Sequence, residues 1–96
     1  MKIATATMSI LDFDGKEIEE RAIRLRGADG TITAYVNHSD NGEAKVEFMG
    51  HGDDAWPESY VVRNAHVKFV GTALLITGVW KNPETQAVER VRWHLY

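Results

Sequence analysis

Residues 59–80, SYVVRNAHVKFVGTALLITGVW, decide the fold predicted for this chain. Two runs rich in valine, isoleucine and aromatic residues flank Gly71-Thr72. A Gly-X pair between two alternating runs is typical of a type II′ hairpin turn, because glycine adopts positive φ at the first central position without a steric cost. The pattern therefore predicts a β-hairpin with a two-residue turn.

This turn determines which side chains of the hairpin share a face, since side chains alternate with period two. One face, the main core candidate, is expected to carry the pairs Phe69–Leu74, Val67–Ile76, Ala65–Gly78 and Arg63–Trp80. The opposite face then carries three large aliphatic side chains, Val70, Leu75 and Val79. A row of this kind is uncommon on the surface of a monomer, so we expect a protein partner or a second copy of the chain to cover it.

The rest of the chain has the same character. Further strands are predicted at Lys2–Phe13, Glu17–Arg26, Thr31–Ser39, Ala44–Met49 and Gln86–Tyr96. Turn signals separate them at Asp14-Gly15, Asp29-Gly30, Asn41-Gly42 and Asn82–Thr85. No segment has a helical period longer than about two turns. We predict a single all-β domain, residues 1–96, that forms an antiparallel meander of about seven strands curled into a small barrel; the alternative is a two-sheet β-sandwich.

Two details of the strands are less regular. Glu19 and Arg21 fall on the apolar side of the first hairpin, which indicates a β-bulge near its turn. With a two-residue turn at Asn41-Gly42, the third and fourth strands would be apolar on both faces. Ile32, Ala34, Val36 and Met49 would then share one side, and Tyr35, Val46 and Phe48 the other. A strand apolar on both faces is expected to be covered on both.

Composition restricts the class of protein. The apolar fraction is 44% and the charged fraction 26%, as in ordinary globular domains. The first residues alternate and lack an apolar block with a cleavage site, so they predict a strand rather than a signal peptide, and no run is long enough for a membrane helix. The chain has no cysteine, which excludes disulfides and thiolate chemistry. We expect a cytoplasmic protein that has no contact with membranes.

Candidate chemistry is sparse. The spacing of His38, His51, His66 and His94 matches no metal signature, so no metal and no cofactor are predicted. The connection 50–58 contains Asp53, Asp54 and Trp56, but the sequence places no nucleophile beside them. We therefore expect no enzymatic activity. Trp56 is predicted either to cover one end of the core or to anchor a partner.

Charge is distributed unevenly along the chain. The net charge is −3, with one basic and six acidic residues in 31–60, against five basic and two acidic residues in 61–96. The acidic third predicts a surface for a basic partner. In the basic third, Arg90, Arg92, His94 and Tyr96 form one outward stripe, to which Arg24 and Arg26 would add if the last strand lies beside the first hairpin.

These observations favour a non-catalytic protein-interaction module, an adaptor or a small acidic inhibitor, that binds through Val70, Leu75, Val79, Trp56, Asp53 and Asp54. The first alternative is an oligonucleotide-binding barrel that uses Arg24, Arg26, Arg90, Arg92, His94 and Tyr96. The second alternative is a small-ligand barrel or an enzyme with its site at the 50–58 loop.

Overall fold

The computed structural model describes residues 2–12, 14, 16–21, 32–49 and 57–96. In this part of the chain all regular structure is β. The strands are β1 (Lys2–Ile3), β2 (Ala6–Leu11), β3 (Glu17–Arg21), β4 (Ile32–His38), β5 (Ala44–Met49), β6 (Pro57–Val70), β7 (Ala73–Lys81) and β8 (Val88–Leu95). β1 and β2 are one strand interrupted at Ala4-Thr5. The prediction of an all-β antiparallel meander of about seven strands is thus confirmed.

The strands form a single sheet in the order β1-β4-β5-β6-β7-β8-β2-β3, curled into a half-barrel. The interrupted first strand connects the two ends of this curl. Its residues Lys2 and Ile3 pair with β4, whereas β2 pairs with β8 and β3. One curled sheet agrees with the predicted small barrel and not with the alternative of a two-sheet sandwich.

The β6–β7 hairpin has the predicted turn. Gly71 has a φ of +63°, and Val70 pairs with Ala73, as a two-residue turn requires. The predicted pairs Phe69–Leu74 and Val67–Ile76 are both present. The glycine at position 71 is needed here because a side chain at this φ would be strained.

A β-bulge interrupts the same hairpin further from its turn. His66 pairs with Thr77, but Arg63 pairs with Val79, so that Asn64 and Ala65 together lie opposite Gly78. The predicted Arg63–Trp80 pair is therefore wrong, and so is the place of Arg63 on the core face. Asn64 has a φ of 50°, a left-handed conformation that asparagine tolerates better than most residues. Beyond the bulge the faces of β6 exchange, because one extra residue shifts the alternation.

As a result, Val62 and Tyr60 are buried, whereas Arg63 has 71% of its side chain exposed. The missing side chain of Gly78 makes this arrangement possible. A Cβ atom there would lie 2.5 Å from Val62 Cγ1 and 2.6 Å from the carbonyl oxygen of Arg63.

The β4–β5 hairpin has a longer loop than the Asn41-Gly42 signal suggests. The N–H of Gly42 donates to the Ser39 carbonyl, the N–H of Ser39 donates to the Glu43 carbonyl, and Gly42 has a φ of +85°. This is the geometry of a three-residue loop that ends in a left-handed glycine. The register is one residue away from that of a two-residue turn.

That shift corrects the predicted division of apolar residues between two faces. Val36 pairs with Val46, and Ala34 with Phe48, so these four residues lie on one side together with Ile32. Because a slip of one residue exchanges the faces of a strand, the longer loop turns two half-apolar faces into a single apolar one. Tyr35, opposite Glu47, is 56% exposed. The prediction that both faces of these strands are apolar, and hence covered, is wrong.

Three other connections were predicted: the turn of the first hairpin, the turn at Asp29-Gly30 and the turn before the last strand. In the first hairpin the Asp12 N–H donates to the Lys16 carbonyl, so the connection is longer than two residues, and the predicted bulge is present between Ile10 and Leu11. The predicted turn at Asp29-Gly30 lies outside the described residues. At the last connection the Asn82 N–H donates to the Ala87 carbonyl. The last strand consequently begins at Val88 rather than at residue 86.

The core fills the inside of the curl. Its largest fully buried side chains are Trp93, Phe48, Met8, Ile32, Ile76, Leu95, Val46, Val62 and Val91. Trp93 lies against the rings of Phe48 and Tyr60, with centroids 5.2 and 4.7 Å away. Phe69, which was expected in the core, is 69% exposed. The reason is that β5 pairs with β6 only as far as Val62, so no described strand flanks Phe69 on its second side.

Candidate interaction face

The outward side of β6, β7 and β8 combines apolar and basic residues in a regular order. The strand registers place three outward residues of β7 between one residue of β6 and one of β8, in the rows Lys68–Leu75–His94, His66–Thr77–Arg92 and Arg63–Val79–Arg90. We call these nine residues the outer face. Its central strand is apolar or uncharged, and each neighbouring strand adds only cationic or imidazole side chains.

The predicted aliphatic row lies at this outer face. Val70 is 50% exposed at the end of the hairpin, opposite Ala73, whereas Leu75 and Val79 are half-buried between their neighbours. The three side chains point away from the core, as expected. They do not form a continuous apolar strip, because Leu75 and Val79 each lie between cationic or imidazole residues of the neighbouring strands.

The stripe predicted on the last strand belongs to the same surface. Arg90, Arg92, His94 and Tyr96 alternate with the buried Val91, Trp93 and Leu95. The rings of His94 and Tyr96 lie 4.3 Å apart at an angle of 37°. Arg90 and Arg92 each interact with another group of the chain, so neither is a free cation.

Sequence reasoning missed half of the outer face. It placed Arg63 on the core face and gave His66 and Lys68 no role in binding. The signal that could have indicated the bulge is Asn64, a residue that accepts a left-handed conformation, followed by the small Ala65 opposite Gly78. The other predicted partner residues, Trp56, Asp53 and Asp54, lie outside the described residues, as do Arg24 and Arg26.

Acidic groups lie beside the outer face rather than within it. Glu43 is 3.9 Å from the Arg63 guanidinium, and Lys45 and Glu47 form an ion pair of 2.8 Å on the neighbouring strand. Both pairs are substantially exposed, and such pairs contribute little to stability. These two pairs border the basic surface on its β5 side.

Two depressions lie on either side of the bulge. The larger, of about 410 Å³, is lined by Glu43, Ser59, Val61, Arg63, Trp80, Lys81 and Pro83. It lies where β6 leaves β7 to pair with β5. The smaller, of about 250 Å³, is lined by Leu11, Asn64, His66, Thr77, Gly78, Val79, Arg90 and Val91. We call the smaller depression the bulge pit; four of its eight lining residues, His66, Thr77, Val79 and Arg90, belong to the outer face.

No metal centre is formed by the residues that the structure describes. Among them, no three histidine, aspartate or glutamate side chains are grouped so that they could hold an ion. Within the same residues, no helix has the length and apolar composition needed to cross a bilayer.

Comparison with other proteins gives no assignment. No protein-family model matches the chain, and no match was found among curated proteins or among solved structures.

Proposed function

We propose that this chain is a non-catalytic protein-interaction module that binds an acidic protein surface through its outer face. The observation that supports this proposal is the order of the three rows, in which an apolar or uncharged residue of β7 lies between basic or imidazole residues of β6 and β8. A complementary partner presents a narrow apolar ridge with carboxylates on both sides.

The two parts of the outer face contribute differently. Burying the exposed parts of Leu75 and Val79 gains about 25 cal/mol for each Å² of apolar surface. The flanking charges mainly accelerate association and select the partner, since complementary charge adds more to specificity and on-rate than to affinity. Such a surface suits a reversible adaptor or inhibitor.

Charge also favours a different protein over a second copy. In a face-to-face dimer, the cationic side chains of β6 and β8 in one copy would lie against those of the other, although Arg63, Arg90 and Arg92 each already interact within the chain. Two unit charges of like sign about 4 Å apart repel by about 1 kcal/mol even in water. A partner with carboxylates avoids this cost. Asp53 and Asp54, for which a basic partner was predicted, lie outside the described residues.

A displayed library of random peptides, panned against the immobilised domain, tests the proposal. We expect peptides that alternate apolar residues with aspartate or glutamate, retained by the wild type and lost with Leu75→Glu. Tyr35→Glu is the matched control: Tyr35 is exposed on β4, away from the outer face, and this variant should retain the same peptides. Thermal melts must show all three proteins folded.

Enrichment of peptides without acidic residues, or equal retention by Leu75→Glu, would contradict the proposal. The alternative partner is a second copy of the chain. Sedimentation of the wild type tests for such a homodimer, and we expect the protein to be a monomer. The proposal includes a cytoplasmic location, which fractionation of source cells would test.

A second candidate is single-stranded nucleic acid. The observation in its favour is that the His94 and Tyr96 rings, in tilted contact with each other, share a face with Arg90 and Arg92. Bases stack on aromatic rings, and phosphates pair with guanidinium groups. A fluorescent oligonucleotide distinguishes the two candidates: nucleic-acid binding predicts an affinity that falls steeply with salt and is lost with Tyr96→Ala.

A further inference from the structure

We propose that the partner protein adds an extended strand to the edge of β6 at residues 67–69, with an aspartate or glutamate opposite Lys68. The inference deepens the proposed function and rests on it for the acidic partner. It states how the partner's chain runs: as one more strand of the sheet, bound through its backbone as well as through its side chains.

The β6 backbone directs hydrogen-bonding groups away from β7 along this edge. The Ala65 N–H donates to the Gly42 carbonyl in the β4–β5 loop, at 2.8 Å, so the backbone groups of residue 65 point away from β7. Because this direction alternates with period two, the groups of Val67 and Phe69 point the same way. The two-residue turn at Gly71-Thr72 gives the same result, since the pair that closes such a turn bonds within the hairpin.

The exposure of the side chains shows that this part of the edge is accessible. Phe69 is 69% exposed, and Lys68 and Val70 are exposed as well. By contrast Val62, which pairs with Ala44 of β5, is fully buried. Among the described residues, β5 pairs with β6 only as far as Val62. A strand added beyond that point would lie beside Phe69 and cover its ring.

The alternation along the edge defines the side chains that the added strand needs. Val67 and Phe69 lie on the same face as the buried Ile76, whereas Lys68 belongs to the outer face. A segment of the pattern apolar–acidic–apolar places its carboxylate opposite Lys68 and its apolar side chains beside Val67 and Phe69. Opposite charges in directly facing positions stabilise a strand pair, and strand addition combines backbone bonds with alternating side-chain contacts.

A second copy of the chain fits the same edge less well. In an antiparallel pairing of two β6 edges, the register that bonds both outward residues places each Val67 opposite the Phe69 of the other copy. Lys68 of one copy then lies directly opposite Lys68 of the other, and like charges in that position are destabilising. An acidic segment replaces this repulsion with attraction.

NMR titration of the ¹⁵N-labelled full chain with the capped peptide Thr-Val-Glu-Val-Thr tests the proposal. We expect saturable shifts of the amide signals of Val67, Lys68 and Phe69, and slower hydrogen exchange of the Val67 and Phe69 N–H groups. The same peptide N-methylated at both valines lacks the two donors that would face β6. It should bind the wild type about tenfold more weakly or worse, since two backbone hydrogen bonds are lost.

Charge reversal tests the contact with Lys68. Lys68→Glu should weaken binding of the glutamate peptide by about tenfold and should favour a peptide with lysine in place of the glutamate. Lys81→Glu is the matched control, because Lys81 is also exposed but lies at the opposite end of the hairpin; this variant should bind both peptides as the wild type does. The N-methylated peptide needs no variant, so that arm of the test does not depend on the folding of either one.

Equal binding of the N-methylated peptide, or the absence of shifts at the three β6 amides, would overturn the added strand. Shifts at these amides that grow with protein concentration in the absence of peptide would identify a second copy as the occupant and overturn the choice of partner. The result is separable from that of the proposed function. A failed peptide library with a positive titration removes the outer-face docking and leaves a strand-addition site, whereas Leu75-dependent peptides with a negative titration remove only the added strand.

Discussion

Gly78→Ala adds a single methyl group but should cause a large loss of folding stability. The added Cβ would lie 2.5 Å from Val62 Cγ1, 2.6 Å from the Arg63 carbonyl oxygen and 3.3 Å from Ala65 Cα. Non-bonded carbon atoms prefer separations of about 3.5–4.0 Å. Two of the three contacts are with the β6 backbone at the bulge, so they cannot be relieved by rotating a side chain. Relief requires movement of the bulge itself.

The size of the effect follows from these contacts. Overpacking a core costs about 1–3 kcal/mol, and a clash with backbone belongs at the upper end of that range. Alanine also has less conformational freedom than glycine in the unfolded chain, which stabilises the folded protein by about 0.4–1 kcal/mol. We therefore expect a net loss of about 2–3 kcal/mol. For a domain of this length each kcal/mol lowers the melting temperature by about 4–8 °C, so the expected decrease is roughly 10–20 °C.

Thermal and urea unfolding, followed by circular dichroism, measure this effect, with Gly42→Ala as the matched control. Gly42 has no atom within 4 Å of its Cβ position but has a φ of +85°, so its substitution should cost only about 1–2 kcal/mol of backbone strain. In the Gly78→Ala background, Val62→Ala removes one clash, and the double variant should be about 1 kcal/mol more stable than the sum of the single effects predicts. A Gly78→Ala protein that melts within 2 °C of wild type would refute the bulge geometry.

Further stability predictions concern the core and the last turn. Ile76 is fully buried and Val67 only half-buried, so Ile76→Ala should cost about 2–5 kcal/mol and Val67→Ala about 1 kcal/mol or less in urea unfolding; a reversed order would contradict the difference in burial between these two paired residues. Asn82 Oδ1 accepts hydrogen bonds from the N–H groups of Glu84 and Thr85, at 2.9 and 3.4 Å. Asn82→Ala should therefore cost about 1–2 kcal/mol, and an unchanged melting temperature would show that the two N–H groups are equally well satisfied by water.

The sequence predicts local features of this fold better than long-range ones. The turn at Gly71-Thr72 and the pairs next to it follow from residues adjacent in the chain, because only glycine suits the first turn position. The bulge at Asn64 could not be predicted in the same way. Its position depends on β6 leaving β7 to pair with β5, and that choice involves residues more than fifteen positions away.

In the Asn41-Gly42 hairpin, a difference of one residue in loop length decides which face of a strand is buried. Both a two-residue and a three-residue loop place glycine at a position with positive φ. The sequence signal cannot separate them, but the two loops assign opposite faces to every residue of one strand. Burial of Val46 and Phe48 beside Ala34 resolves the choice, since only the longer loop collects the apolar residues on one side.

The bulge links the core to the outer face. The extra residue that turns Val62 and Tyr60 inward also turns Arg63 outward and places Asn64 at the edge of the bulge pit. Removing the bulge would therefore alter stability and binding together, so a variant of Gly78 cannot test the proposed function. Arg90 and Thr77 line the pit without being part of the core, and Leu75 lies in the outer face without lining the pit. Leu75→Glu separates partner docking from folding, because it changes a surface contact while the bulge register stays intact.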